Sequence, residues 1–232
     1  MSDNMLLRLM RCLFPDRCEC CGCRMAYGEV LMCTVCMARL PRRSDSLSPC
    51  DNDMVRLLWG RAAVERGMAW VDYVPHSDFA NVIYSMKYHD RPDIALQLGR
   101  LIATEAAPRG FFDGIDLIVP LPLHPVRERE RGYNQSREIA AGLSSVAGVP
   151  IANGVVERTR NTTSQTLVGH MMRAENMADA FSLVRPERVS GRHVLIVDDI
   201  ITTGASLAAC LGVFSGVPDV RLSVLTVGKT VE

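Results

Sequence analysis

The sequence lacks net charge, 26 lysines and arginines balancing 26 acids over 232 residues. Bulk charge therefore argues neither for nor against nucleic acid, and any basic binding surface must be local. No apolar run reaches membrane-spanning length, so no membrane insertion is expected. The opening residues, Met1 to Arg11, have their apolar run broken by Arg8 and Arg11 with no small-residue cleavage site behind it. They read as neither signal peptide nor anchor, and the expected location is cytoplasmic. Long repeats and low-complexity tracts are absent as well. Cysteine is nearly missing after residue 50, where only Cys210 stands. A disulfide framework across the whole chain is therefore excluded, and the early cysteines, paired at two-residue spacing, read as metal ligands. What the chain does have is 48% apolar residues, enough for a sizeable core.

The most informative stretch runs from His193 to Ser206. Val194-Leu195-Ile196-Val197 reads as a buried strand, Asp198-Asp199 as paired acids at its end, and Thr202-Thr203-Gly204-Ala205-Ser206 as a loop opening a helix. Ligands in α/β proteins sit at the carboxyl edge of the sheet. A loop of hydroxyls and backbone N–H groups at a helix start suits a phosphate. Two carboxylates repel that phosphate but suit the vicinal hydroxyls of a ribose or a hydrated Mg²⁺. One short segment can thus hold a ribose 5-phosphate.

At the other end of the chain, Cys18-Glu19-Cys20-Cys21-Gly22-Cys23 precedes Cys33-Thr34-Val35-Cys36. Two Cys-x-x-Cys pairs can close a tetrahedral, structural Zn²⁺ site, with free thiols or an iron–sulfur centre as alternatives. Cys18/Cys21 and Cys20/Cys23 both have the required spacing. Cys18, Cys21, Cys33 and Cys36 are the favoured set, because Gly22 then follows the second ligand, where the knuckle needs an unhindered backbone. Cys50 has no partner at ligand spacing.

Between these landmarks, Leu6, Leu9, Met10, Leu13 and Phe14 predict a short leading helix, and residues 41–53 a polar linker. Residues 68–73 predict a strand; Phe79 to Met86 and Ile94 to Ile102 predict two helices. Lys87 and Tyr88 close the first of these, where they could face a ligand. Asp116 to Val119 predict a strand running into a proline-stiffened loop. Arg127, Arg129 and Arg131, at alternate positions of what reads as an extended loop, would project together toward a polyanion. The polar run from Arg158 to Asn176 has the composition of a lid. The division expected is a zinc-binding module over 1–45 and an α/β domain over 46–232.

The stretch 194–206 resembles the signature of the type I phosphoribosyltransferases, whose paired acids contact the ribose hydroxyls of phosphoribosyl pyrophosphate and whose Thr/Gly loop wraps its 5-phosphate. With the knuckles, Trp59-Gly60-Arg61, Lys87-Tyr88, Val119-Pro120-Leu121-Pro122-Leu123-His124-Pro125, Arg131-Gly132-Tyr133-Asn134-Gln135, Arg158, Gln165, Arg173 and Asn176, the chain resembles the ComF family of competence-associated proteins. That resemblance implies a mainly parallel sheet flanked by helices plus a small zinc-ribbon-like module. It implies Asp198, Asp199 and Arg131 as catalytic residues and Val119-Pro120-Leu121 as the pyrophosphate loop. Arg158, Gln165 and Arg173 would belong to a catalytic flap, and Zn²⁺ and Mg²⁺ would be the metals. Many ComF-like chains carry a further cysteine pair, where this one has Cys50 alone. The implied ligand is phosphoribosyl pyrophosphate or a nucleotide, with an unread acceptor. The alternative function is a non-catalytic competence factor that binds single-stranded DNA or a DNA-uptake helicase; a purely structural zinc module ranks last, since it leaves the phosphate loop without a reason.

Overall fold

The computed structural model describes residues 16–43, 48–160 and 180–231. The leading helix expected before residue 15, and Gln165, Arg173 and Asn176 of the expected flap, lie outside them. The backbone of the fold is a four-stranded sheet of β1 (Arg66–Tyr73), β2 (Leu117–Pro120), β5 (His193–Ile201) and β6 (Arg221–Thr230). Its order is β1-β6-β5-β2, every pairing parallel. Residues 150–152 extend it beside β2, where Ile118 N–H donates to the Pro150 carbonyl at 2.9 Å. A separate antiparallel pair joins β3 (Val156–Arg158) to β4 (Phe181–Leu183).

A parallel sheet covered on both faces needs strands that are apolar throughout, and β5 is built that way. Val194 and Ile196 pack into one core, under α2 (Asp53–Leu58) and α7 (Ala205–Gly212). Leu195 and Val197 pack into the other, under α3 (Asp78–Tyr88), α4 (Pro92–Ala106) and α6 (Gln135–Ala147). The alternation is the two-residue period of a strand read inside an uninterrupted apolar run.

The two predicted helices at 79–102 are α3 and α4, capped by the Ser77 side chain and started by Pro92 respectively. Two sequence expectations change. The strand does not stop before the acids: β5 continues through Asp198-Asp199 to Ile201, because β6 keeps pairing with it as far as Lys229. Gly228 makes this continuation fit, since a Cβ there would lie 2.9 Å from Ile200 Cδ1. The arginine segment is α5 (Pro125–Arg131), a helix rather than an extended loop. His124 Nδ1 accepts from Val126 N–H and Pro125 stands in the first turn, and a Glu/Arg run propagates a helix once it is started.

The cysteine segment, with α1 (Thr34–Arg39), rests on α3. Cys18, Cys20, Met32 and Cys33 share one apolar cluster with Trp70, Phe79 and Ile83. Asn81 Nδ2 donates to the Cys20 carbonyl at 2.9 Å, and Arg91 pairs with Glu19 at 3.1 Å.

Candidate anion-binding cleft and cysteine centre

The carboxyl ends of β2 and β5, α5 and the end of α3 enclose a cavity of about 330 Å³. Its wall carries Lys87, Leu121, Arg127, Arg131, Arg158, Asp198, Asp199 and Ser206, together with Pro122, Leu123 and Ile200. Asp199 continues the parity of Leu195 and Val197 and meets α3, where Lys87 Nζ lies 2.8 Å from its Oδ2. Its Oδ1 accepts from the Ile200 N–H at 2.5 Å. Asp198 Oδ1 accepts from Ser136 Oγ at 3.0 Å and from the Asp199 N–H at 2.8 Å. Ser136 is placed by the start of α6, whose Asn134 side chain accepts from the Ser136 N–H and donates to the Leu121 carbonyl at 3.1 Å. One asparagine therefore fixes the helix that supports Asp198 and the β2 exit that forms the opposite wall.

Four cationic side chains, Lys87, Arg127, Arg131 and Arg158, face two carboxylates, an excess suited to a polyanion that also carries hydroxyls. Burial, and then the charge of Asp199, pushes the Asp198 carboxyl up to about 7. Burial works against the charge on Lys87, yet the adjoining Asp199 outweighs it and holds Lys87 above its ordinary value. Crowded carboxylates of this kind gain from hydroxyl donors or a divalent cation, and the oxygen donor set fits Mg²⁺.

The raised Asp198 value has a direct consequence for stability. A native state that retains a proton the unfolded chain releases loses stability as pH rises from about 4 toward about 7. Asp198→Asn removes that loss. Urea unfolding is expected to find the variant more stable than the parent at pH 8, with the advantage shrinking toward pH 5. A difference independent of pH would contradict the environment described for Asp198.

Of the other predicted site residues, Ser206 and Leu121 reach the cavity wall, whereas Thr202 and Thr203 are exposed beside it. Gly204 takes φ +73° at the start of α7, and a Cβ there would also press on Leu57 at 3.3 Å, so this position needs glycine. Arg61 Nη1 donates to the Thr203 carbonyl at 3.0 Å, tying the Trp59-Gly60-Arg61 segment to that loop. Val119 and Pro120 are buried within β2, and the wall is made by the three residues that follow them. Arg127 and Arg131, one helical turn apart, reach the cavity, while Arg129 donates to the Pro125 carbonyl at 3.3 Å. Arg158, at the end of β3, joins them. Ser136 escaped the sequence reading, since a serine one residue inside a helix carries no signal of the carboxylate it will meet.

The sulfurs of Cys18, Cys21, Cys33 and Cys36 lie within 4.8 Å of one another. Tetrahedral Zn–S bonds of ~2.3 Å require S···S separations of ~3.8 Å, and Cys21 and Cys33 stand at 3.9 Å. Gly22 has φ +72° and donates to the Cys18 carbonyl at 2.8 Å, closing the first knuckle. The Cys33 N–H donates to Cys18 Sγ at 3.3 Å and the Cys36 N–H to Cys33 Sγ at 3.5 Å. Glu29 braces the intervening loop, accepting from the N–H groups of Thr34 and Ala26, each at 2.6 Å. Cys20 turns into the core instead, where burial pushes its thiol up to about 12. These four sulfurs could hold a metal ion such as zinc.

The chain is 33% identical over 204 residues to DNA utilization protein YhgH of Escherichia coli K12, covering 84% of this chain and 88% of that one. Over 93 residues it is 38% identical to competence protein F of Haemophilus influenzae, covering 40% and 41% of the two chains. Among solved structures, glutamine phosphoribosylpyrophosphate amidotransferase from B. subtilis, complexed with ADP and GMP, aligns with 62% of this chain at 19% identity and a TM-score of 0.42. The chain spans 30% of that structure. No family model matches the chain. Among the described residues, no helix is long and apolar enough to cross a membrane.

Proposed function

Because the chain belongs to the ComF family of DNA utilization and competence proteins, we propose that its cleft binds phosphoribosyl pyrophosphate, or a nucleotide, with Mg²⁺ in the service of DNA uptake or use. The observation that carries this reading is the pair Asp198-Asp199 at the carboxyl end of β5, supported by Ser136 and Lys87 and faced by Arg127, Arg131 and Arg158. Asp198 and Asp199 orient the two ribose hydroxyls. Ser206 and the N–H groups at the start of α7 take the 5-phosphate. Mg²⁺, when bound, supplies charge neutralisation at the pyrophosphate. In transfer to an acceptor, Arg131 and Arg127 stabilise the negative charge that grows on the departing pyrophosphate. Isothermal titration with Mg²⁺ and phosphoribosyl pyrophosphate tests this. Asp199→Asn is expected to weaken binding at least about tenfold, the loss of a charge-assisted hydrogen bond. Unchanged affinity would overturn the reading.

The excess of cations over acids in the wall favours a second reading, a non-catalytic competence factor that holds single-stranded DNA or a helicase partner. Its signature is affinity for single strands that falls steeply with salt. Absent or salt-insensitive binding counts against it.

A further inference from the structure

Beside the cleft, the end of α3 carries a surface that the donor site does not use. The buried face of α3 is Phe79, Val82, Ile83 and Met86. Tyr84 and Tyr88, one turn apart on the other side, are 56% and 61% exposed. Their ring centroids lie 4.8 Å apart with planes inclined by 41°. The His89 ring stands edge-on to Tyr84 at 5.3 Å. The Arg131 guanidinium carbon lies 5.8 Å from the Tyr88 centroid. The same Arg131 is part of the cavity wall, and Lys87, adjacent to Tyr88 in the chain, is the partner of Asp199. The aromatic surface therefore abuts the site assigned to the ribose.

The surface is also built to stay in place. Tyr133 Oη donates to the Met86 carbonyl, two residues before Tyr88. Gly132, at φ +79°, lets the turn after α5 come so near that a Cβ would lie 3.0 Å from Asp90 Oδ1. Arg131 Nη1 donates to Gln135 Oε1 at 2.9 Å, which fixes the guanidinium over Tyr88. Two exposed tyrosines bury little apolar area against their own chain. Their flat faces, flanked by a guanidinium and an imidazole, match the chemistry of a planar, electron-rich heteroaromatic ring.

Resting on the phosphoribosyl reading of the cleft, we infer that Tyr88 and Tyr84 form the stacking platform for a nucleobase, either the acceptor of the phosphoribosyl group or the base of a nucleotide held there. The phosphate lies against the start of α7, the ribose on Asp198 and Asp199, and the base leans out over Lys87 onto the tyrosines, with Arg131 bridging the two halves of the site.

The test compares AMP with ribose 5-phosphate, which shares the sugar phosphate and lacks the base, by isothermal titration in the presence of Mg²⁺. In the parent, AMP is expected to bind roughly tenfold tighter than ribose 5-phosphate, the gain typical of base–aromatic stacking. Tyr88→Ser should erase that advantage and Tyr88→Phe should keep it, while both variants bind ribose 5-phosphate as the parent does. Equal affinity of the parent for the two ligands, or undiminished preference for AMP in Tyr88→Ser, overturns the platform and leaves the cleft assignment standing. Failure of the folded parent to bind ribose 5-phosphate, AMP or phosphoribosyl pyrophosphate overturns the cleft assignment and the platform with it. Because both tyrosines are exposed, circular dichroism and metal content should match the parent in every variant.

Discussion

Gly142→Ala is expected to destabilise the protein by about 3 kcal/mol, the upper end of what overpacking costs. At roughly 2–4 °C per kcal/mol for a chain of this size, the melting temperature should fall by about 6–12 °C. The reason is the crossing of α4 and α6. A Cβ on Gly142 would lie 2.1 Å from the Leu96 carbonyl oxygen and 2.8 Å from the Arg100 nitrogen. A Cβ on Gly99 would lie 2.1 Å from the Ile139 carbonyl oxygen. Every one of these neighbours is backbone, so no side chain can swing aside and the helices themselves must separate. Gly99→Ala should behave alike, and the double variant should lose less than the sum, because the first separation makes room for the second. The damage reaches the cleft, since α6 begins with the residues that hold Ser136 against Asp198. Differential calorimetry of the purified variants reads the effect. An unchanged melting temperature would contradict the close crossing.

If the four sulfurs carry zinc, Cys33→Ser should abolish metal binding and cost several kcal/mol. Structural zinc in zinc-finger peptides contributes apparent binding energies of ~10–16 kcal/mol, and that energy is folding energy. A metal held here would anchor an apolar layer shared with α3 and β1, because Cys18 and Cys33 pack with Trp70, Phe79 and Ile83. The loss should therefore extend beyond the knuckles toward the helix that presents Lys87. The register is tested by the same measurement: Cys21→Ser should lose the metal, and Cys20→Ser should keep it. Metal analysis after gel filtration gives the answer. Retention by Cys21→Ser together with loss by Cys20→Ser would reverse the ligand assignment.

How much of this was legible in the sequence depended on whether the determinant was local. Val194 to Val197 announces a strand buried on both faces by its β-branched apolar run, and the structure places it between two cores. The helices over 78–88 and 92–106 follow from their apolar spacing and their caps. The pairing favoured through Gly22 is matched by the grouping of the Cys18, Cys21, Cys33 and Cys36 sulfurs within 4.8 Å of one another, and Gly22 does take a positive φ after Cys21. Two readings failed, one because a neighbour in space decided the state and the other because a cap did. Asp198 and Asp199 remain in a strand because β6 extends beside them, and the alternating arginines became helix α5 once His124 and Pro125 had started it. The supports of the paired acids, Ser136 and Lys87, lie 62 residues and more away in sequence, and no local pattern links them. Arg131 reaches the cavity wall as the arginine row suggested, whereas its contact with the Tyr88 ring, made across 43 residues, had no local signal.

The most direct measurement is thermal unfolding of the folded protein, purified in the presence of zinc, with phosphoribosyl pyrophosphate, with and without Mg²⁺, for the parent and for Asp198→Asn/Asp199→Asn. A ligand present at about a hundred times its dissociation constant stabilises the native state by roughly 2.7 kcal/mol. A Mg²⁺-dependent rise in melting temperature in the parent, lost in the double variant, is the expected result. No rise in the folded parent, or the same rise in the variant, would contradict the assignment of the paired acids to the sugar of a phosphoribosyl ligand.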